Sequence, residues 1–280
     1  MNLLPLISIC IPTYNQTIHL QKLIISILNQ KEVNYEIIVT DDSSNNDVQL
    51  LIEKFNSNLE EKQILYFRNS PALGAPKNWN FGLSLAKGEY IKPMHHDQWF
   101  EDDFALKKLL SILLNNKNTF VFSAAINNFR GKVFEFRIKK NELNDIINEP
   151  EKLILANLIG GPTAILYPSN AKIIFDEKII WLVDVEFYLQ LFRKGYKVKY
   201  IDECLYTSMT DFDSLTNNNL IDTEKQLYEY SYLYNKYTKN LSRIKKLKYA
   251  YKIDKIIKLQ IKKKQLIIQT IRFIKRILFN

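Results

Sequence analysis

The first hundred residues alternate short apolar runs with stretches of helical spacing, and this constrains the chain more than any other feature. Leu6–Ile11, Tyr35–Thr40, Ile64–Phe67 and Tyr90–Met94 read as buried strands, short and rich in β-branched or aromatic residues. Between them, Leu20–Leu28, Val48–Phe55 and Ala75–Ala86 carry apolar residues at helical spacing, the last with Pro76 in a first turn that tolerates it. Such alternation with short connections predicts an α/β chain: a mostly parallel, Rossmann-like sheet flanked by helices, with right-handed crossovers. Ligands of such sheets bind beyond the carboxyl ends of the strands. Three polar clusters, Thr13–Asn15, Asp41–Asp47 and His95–Asp97, each follow a strand and are expected to converge on one rim.

Beyond Phe100 the pattern loosens. Phe104–Leu114, Pro150–Leu158 and Val183–Arg193 read as helices. Phe120–Ala125, Lys132–Arg137, Ala164–Tyr167 and Val198–Ile201 read as strands, and Gly160–Pro162 as a loop. After about Ser214 the chain turns helical and then basic. A hydrophobic content of 46% against 25% charged residues suits a globular body. The expected division is a domain over residues 1–215, with a ligand-binding half at 1–100 and a second half at 101–215, followed by a helical, basic extension at 216–280.

Several clusters carry chemistry in their residue types. The strand end Pro12-Thr13-Tyr14-Asn15 offers backbone groups and an aromatic ring to a planar ligand, although a strand followed by a plain turn fits it too. In Asp41-Asp42-Ser43-Ser44-Asn45-Asn46-Asp47, capping of the next helix accounts for Asp47. It accounts less well for Asp41 and Asp42, which precede that helix by several residues. A carboxylate there can accept the imide N–H of uracil or a ribose hydroxyl, which makes Asp42 a candidate reader of a nucleobase.

Next come Gly74-Ala75-Pro76-Lys77-Asn78-Trp79-Asn80-Phe81-Gly82 and Ala86-Lys87-Gly88-Glu89-Tyr90-Ile91. With the two clusters above and the acid at the end of the fourth strand, this ordered set resembles the family-2 glycosyltransferases of the GT-A fold, over about residues 5 to 205 and most closely up to Phe100. The resemblance implies a nucleoside diphosphate sugar donor, most often linked to uridine. Asp42 would hold the base, Tyr14 would stack near it and Lys77 would stand near the diphosphate. The donor site would also include Pro12, Thr13, Asn15, Asp41, Asn78, His95 and His96. The family's Asp-x-Asp metal motif reads His95-His96-Asp97 here, so only the last acid is kept and Gln98 replaces the one that often follows. Mg²⁺ prefers oxygen ligands and can rest on one carboxylate plus phosphates, whereas Mn²⁺ also tolerates an imidazole such as that of His95. Alternatively His95 serves as a cation on phosphate without metal, and His96 as a hydrogen-bonding group.

In the second half, the resemblance sets Gly160-Gly161-Pro162-Thr163 as an acceptor-side loop and Asp184 as the general base, with Glu186 as second choice. Residues two apart on a helix do not share a face, so one of these acids is expected to meet the site. A carboxylate pair at a helix N-terminus, favoured by the macrodipole, is the structural alternative. The family habit is inversion at the anomeric carbon and transfer to a glycan or lipid-linked acceptor in cell-surface polysaccharide or lipopolysaccharide assembly.

Charge is unevenly placed. Residues 239–280 hold fourteen Lys or Arg and one acid, a net of +13 out of +9 overall, which leaves the body mildly acidic. Ile256, Ile257, Ile267, Ile271, Ile274 and Leu278 give this segment an apolar stripe. Residues 243–280 therefore suit either the surface of an anionic membrane or packing on the body, and nucleic acid is not an expected partner. Two cysteines, Cys10 and Cys204, make no disulfide framework, and neither a signal peptide nor a run of membrane-spanning length is expected. A cytoplasmic protein is expected, peripheral on the inner face of the cytoplasmic membrane if the tail binds it. Two other functions stay open. A nucleotidyltransferase would want a glycine-rich basic loop after the first strand, which Pro12–Asn15 is not. A non-catalytic relative that binds nucleotide sugars would be compatible with the altered His95-His96-Asp97 motif.

Overall fold

The computed structural model describes residues 6–59, 63–129, 131–210 and 223–259. Strand β1 (Ile7–Thr13) is buried along its whole length and pairs in parallel with β2 (Tyr35–Asp41) on one side and β4 (Tyr90–Pro93) on the other. β3 (Ile64–Arg68) continues the parallel set beyond β2. Strands covered on both faces read as continuous apolar runs rather than alternating ones, which is why these were legible in sequence. Helices α1 (Ile18–Leu28), α2 (Asp47–Asn56) and α3 (Ala75–Leu85) connect them, and α4 (Ala105–Leu114) follows.

Beyond β4 the sheet becomes mixed. Its order is β3-β2-β1-β4-β8-β6-β9-β5, with β7 paired to β6. β8 (Ile165–Pro168) runs antiparallel to both β4 and β6 (Thr119–Phe129), and β9 (Lys197–Thr210) runs parallel to β6. β5 (Gln98–Phe100) and β7 (Lys132–Phe136) are antiparallel edges. β5 had no signal of its own, because three residues are too few to show a period. β9 extends nine residues past the expected Ile201, across a bulged register opposite Ser123–Ala125. The helix expected at Pro150–Leu158 is instead α5 (Lys140–Asn148) followed by a single 3₁₀ stretch at Pro150–Ile154. Pro150 cannot donate into α5, so the chain breaks and restarts there.

Two glycines of the motif block have physical reasons. A Cβ on Gly88 would stand 2.7 Å from the backbone nitrogen of Ser8, so only glycine lets the turn into β4 press against β1. Gly74 has φ of 84° and opens α3.

Two buried clusters cover the two faces of the sheet. One joins β1, β2, α1, α2 and α4. The other joins β6, β8, α6 (Val183–Arg193) and the residues Tyr230, Leu233 and Tyr237 of α7 (Thr223–Tyr237). A last helix, α8, runs from 243 to 259 and sends Ile253 and Ile257 into this second cluster, with Tyr249 buried beside Glu149. Of the apolar stripe noted in the tail, Ile256 and Ile257 face the body, and Ile267, Ile271, Ile274 and Leu278 lie outside the described residues. Among the described residues no helix is long and apolar enough to cross a membrane.

Candidate active site

The ends of β1, β2 and β4 form the expected rim, but its carboxylates have unequal roles. Asp41, the last residue of β2, is fully buried. Its oxygens accept from Ser43 N (2.8 Å), from the Ser43 hydroxyl and from the Tyr66 hydroxyl (2.7 Å). These bonds make Asp41 a brace of the turn. Asn78 is a second brace: 3% exposed, it donates to Thr40 O (3.1 Å) and accepts from Asn69, tying α3 to β2. Asn15, at φ of 48°, accepts from Ser44 N (3.1 Å) and donates its own N–H to Ser43 Oγ (2.8 Å), so it locks the β1 and β2 loops together.

Asp42 stands between these two kinds. Its backbone N–H donates to Thr13 O (3.1 Å). Its carboxylate accepts from Asn69 Nδ2 (2.7 Å), Leu73 N (3.1 Å) and Gly74 N (2.9 Å). An ionised carboxylate has about four acceptor positions, so one remains for a ligand while the others hold the entry to α3. Tyr14 is 58% exposed at the rim, and Lys77 is exposed in the first turn of α3, which Asp42 anchors through Gly74. Pro12 and Thr13 are buried at the end of β1.

His95 donates its backbone N–H to Thr163 Oγ1 (3.0 Å), and its ring lies 4.8 Å from that of Trp79. Burial pushes its pKa down to about 4, against the upward pull of Asp97. Burial therefore favours the neutral imidazole in the ligand-free protein. Asp97 O accepts from Met209 N (3.0 Å), and Asp97 Oδ1 is shut off from solvent with no hydrogen-bond partner among the described residues. A free carboxylate oxygen and a neutral imidazole two residues before it suit a divalent ion that completes its shell with phosphate oxygens, and no cluster of three potential protein ligands occurs among the described residues.

The second acid sits across the Gly160–Thr163 loop. Asp184, in the first turn of α6, has its Oδ1 buried without a partner among the described residues, and burial raises its pKa to about 7. One helical turn on, the Tyr188 hydroxyl donates to Gly160 O (2.9 Å), so Asp184 and Tyr188 share the face turned to that loop. On the other side of the loop, a Cβ on Gly161 would lie 3.5 Å from Gln98 Nε2, which in turn donates to Ser208 Oγ (2.9 Å). Glu186 faces away. It is fully buried, accepts from Tyr237 OH (2.6 Å) and Gln190 Nε2 (2.6 Å), and pairs with Lys236 Nζ (2.8 Å). Its Oε1 is held by α7 and its Oε2 by Gln190 of α6 itself, so neither oxygen is turned to the Gly160–Thr163 loop.

Three residues without an expected role support the site. Lys92 of β4 is 1% exposed and donates to Thr163 O and to Ile165 O (3.3 Å), tying β4 to the acceptor-side loop. Burial lowers its pKa to about 7. A lysine within an otherwise apolar strand was the available signal. Tyr188 and Gln98 had none, because each acts through contacts made only in the fold.

Residues 8–178 match the model of Glycosyl transferase family 2. Among curated relatives, abequosyltransferase RfbV of Salmonella typhimurium is 38% identical over 112 residues, which is 39% of this chain and 31% of that protein. The GalNAc(5)-diNAcBac-PP-undecaprenol beta-1,3-glucosyltransferase of Campylobacter jejuni is 34% identical over 41% of this chain and 35% of that one. The matches thus span about a third of the length of these two relatives, and 63% of an uncharacterized Mycobacterium tuberculosis protein that is 28% identical. Among solved structures, S. aureus TarS 1-349 in complex with UDP-GlcNAc superposes with a TM-score of 0.66 at 18% identity, over 86% of this chain and 69% of that one. At such identity the likeness shows the fold, the GT-A arrangement expected from the motifs. The family model covers more than half of the 280 residues, and the chain belongs to glycosyl transferase family 2.

Proposed function

We propose that this chain is an inverting glycosyltransferase that moves a sugar from a UDP-linked donor to a glycan or lipid-linked acceptor in cell-surface polysaccharide assembly. The observation that carries the reading is a pair of buried carboxylate oxygens without partners among the described residues, Asp97 Oδ1 and Asp184 Oδ1, whose neighbours Gln98 and Tyr188 both reach the Gly160–Gly161 loop. Unpartnered buried acceptors cost stability and mark places kept for a ligand or a reaction. The donor class is supported by TarS with UDP-GlcNAc, and the acceptor class by the undecaprenol-linked substrate named for the Campylobacter relative.

In this reading Tyr14 stacks on the base, Asp42 accepts from it and Lys77 faces the diphosphate. Asp184 takes the proton of the acceptor hydroxyl as that oxygen attacks the anomeric carbon, a step in which a well-placed base is worth about 10²–10⁴-fold. A base with a pKa near the working pH suits the task, and burial places Asp184 there. Mn²⁺ or Mg²⁺, held by Asp97 with His95 as nitrogen donor, would neutralise charge on the leaving diphosphate. A mannosyltransferase from Pyrobaculum calidifontis solved with GDP-Man and Mn²⁺ superposes with a TM-score of 0.62 at 12% identity. UDP-dependent thermal stabilisation with and without Mn²⁺, followed by UDP release from a panel of UDP-sugars, tests the reading. Stabilisation without any release would favour the non-catalytic alternative, and neither would sink the donor assignment.

The location proposal is a cytoplasmic enzyme resting on the inner membrane face. It rests on the solvent side of α8, where Ile244, Leu247, Tyr251 and Leu259 stand exposed among Lys248, Lys252, Lys255 and Lys258. Apolar side chains ringed by lysines fit anionic headgroups. Flotation with phosphatidylglycerol vesicles is expected, and loss of it in a triple Ile244→Ser, Leu247→Ser, Tyr251→Ser variant. Equal flotation of both proteins removes this face from the proposal.

A further inference from the structure

The carboxylate of Glu229, on α7, is 5% exposed and accepts a row of consecutive backbone N–H groups. Ile180 N reaches Oε1 (3.0 Å), Trp181 N reaches Oε2 (2.9 Å) and Oε1 (3.2 Å), and Leu182 N reaches Oε2 (2.8 Å). These three residues form the turn immediately before α6, and Leu182 is its N-cap residue. No side chain within α6 caps this end. The anion from α7 fills that place, where free N–H groups and the helix dipole favour negative charge. Trp181 is held from its side-chain end too, edge-on to Tyr230 at 5.5 Å between centroids.

The same α7 grips α6 a second time two turns on, where Lys236 and Tyr237 hold Glu186. Glu229 and Lys236 are seven residues apart and so lie on one face of α7, with Leu233 buried between them. The first grip falls two residues before Asp184. The second falls on the far side of the helix from the acceptor loop.

We propose that Glu229 is a positioning residue for Asp184: by fixing the 180–182 turn it sets where α6 starts and therefore where the base stands relative to the Gly160–Thr163 loop. The helix after residue 222 is then a working part of the active site and not an appendage to a finished domain. Both Asp184 and Glu229 lie outside the span that matches the family model, so the part of this chain that holds the base is supplied by its own C-terminal half. The inference rests on the reading of Asp184 as general base.

The test compares the full chain with Glu229→Gln, Lys236→Met and Asp184→Asn. Glu229→Gln keeps the shape but turns an N–H₂ group toward N–H donors. Hydrogen–deuterium exchange should show the amides of Ile180, Trp181 and Leu182 exchanging at least about tenfold faster in Glu229→Gln, with β1 and β2 unchanged. Turnover, read as UDP release from the best UDP-sugar of the panel, should fall about tenfold or more in kcat while the donor KM and UDP-induced stabilisation stay at wild-type values, as expected when a reacting group is displaced by a fraction of an ångström. Lys236→Met loosens the same helix pair away from the base. It should lower the melting temperature and leave kcat per folded molecule within about twofold of wild type. Wild-type kcat in Glu229→Gln, or equal loss of kcat in both variants, overturns the positioning role. Wild-type turnover in Asp184→Asn instead removes the base reading, and this inference falls with it while the exchange result still reports the cap.

Discussion

The end of the rim built by β1 and β2 and the end built by β4 and α6 treat their carboxylates in opposite ways. At the ends of β1 and β2, Asp41 accepts from Ser43 and Tyr66, and Asp42 accepts from Asn69, Leu73 and Gly74. These acids build the loops, and what they leave to meet a ligand is one acceptor position on Asp42 and the exposed side chains of Tyr14 and Lys77. At the other end, Asp97 and Asp184 each bury an oxygen with no partner among the described residues. Under the proposed function the difference is one between a preorganised cradle and a reaction centre. A nucleotide can be bound by a rim that is already satisfied, because its recognition adds to hydrogen bonds that exist. Proton transfer and charge neutralisation need groups the fold has left unsatisfied, at a cost in stability.

The largest expected effect breaks the acceptor side. Asp184→Asn should lower turnover about 10²–10⁴-fold, with UDP binding retained. Asp97→Ala should do likewise, with loss of any Mn²⁺-dependent UDP stabilisation. Either variant at full turnover would place the chemistry elsewhere. The pH dependence sharpens this. The base works deprotonated and the pKa of about 7 belongs to the free protein, so wild-type kcat/KM should rise through about pH 7 to a plateau. Stability should run the other way. The folded pKa of about 7 lies above the ordinary 3.8, so this group's contribution to stability is complete below about pH 4 and is lost as the pH rises through 7. Asn carries no charge, so the melting temperature of Asp184→Asn should gain on wild type between pH 5 and pH 8. A gap that stays constant with pH would deny that Asp184 is strained by burial.

The next effect tests the cradle. Asp42→Ala removes the acceptor shared by Asn69, Leu73 and Gly74. It should destabilise by about 1–3 kcal/mol, and with it weaken UDP binding, because the entry to α3 is no longer held. Calorimetry with and without UDP separates the two losses. Weaker binding with an unchanged melting temperature would make Asp42 a ligand group only, like its counterparts across the rim.

The parallel half of the sheet was legible because each strand is a continuous apolar run and each helix a full amphipathic period. The rim was legible for the same reason, since strand ends can be read from where apolar runs stop. What each rim residue does was not. Asp41 and Asp42 are adjacent and chemically identical, and only the positions of Tyr66 and of the 69–74 loop divide them into brace and candidate ligand. Likewise helical phase separates Asp184 from Glu186 and the family resemblance ranks Asp184 first, but only the fold shows that Lys236, Tyr237 and Gln190 occupy Glu186. Glu229 was invisible, because a carboxylate that caps another helix has no partner near it in sequence. The boundary expected at 215/216 has the same origin: the change in composition is real, yet Tyr230, Leu233, Tyr237, Ile253 and Ile257 pack into the body's own core.

The smallest expected effect is the cleanest probe of the donor side. Tyr14 is 58% exposed at the end of β1. Its removal leaves no cavity, so Tyr14→Ala should change stability by no more than about 0.5 kcal/mol. If its ring stacks on the base, the loss should appear in donor affinity alone, at about 0.5–1.5 kcal/mol, or roughly two- to tenfold in the donor KM. kcat should not move, because stacking on the base is equally present in ground and transition states and such uniform binding enters KM only. Tyr14→Phe should bind as wild type, since the ring and not the hydroxyl carries the contact. The two sides of the rim therefore predict opposite kinetic signatures, KM alone at Tyr14 and kcat alone at Asp184. A Tyr14→Ala variant that lost kcat would mean that the ring helps to place the reacting sugar, and the division between cradle and reaction centre would have to be drawn beyond β1.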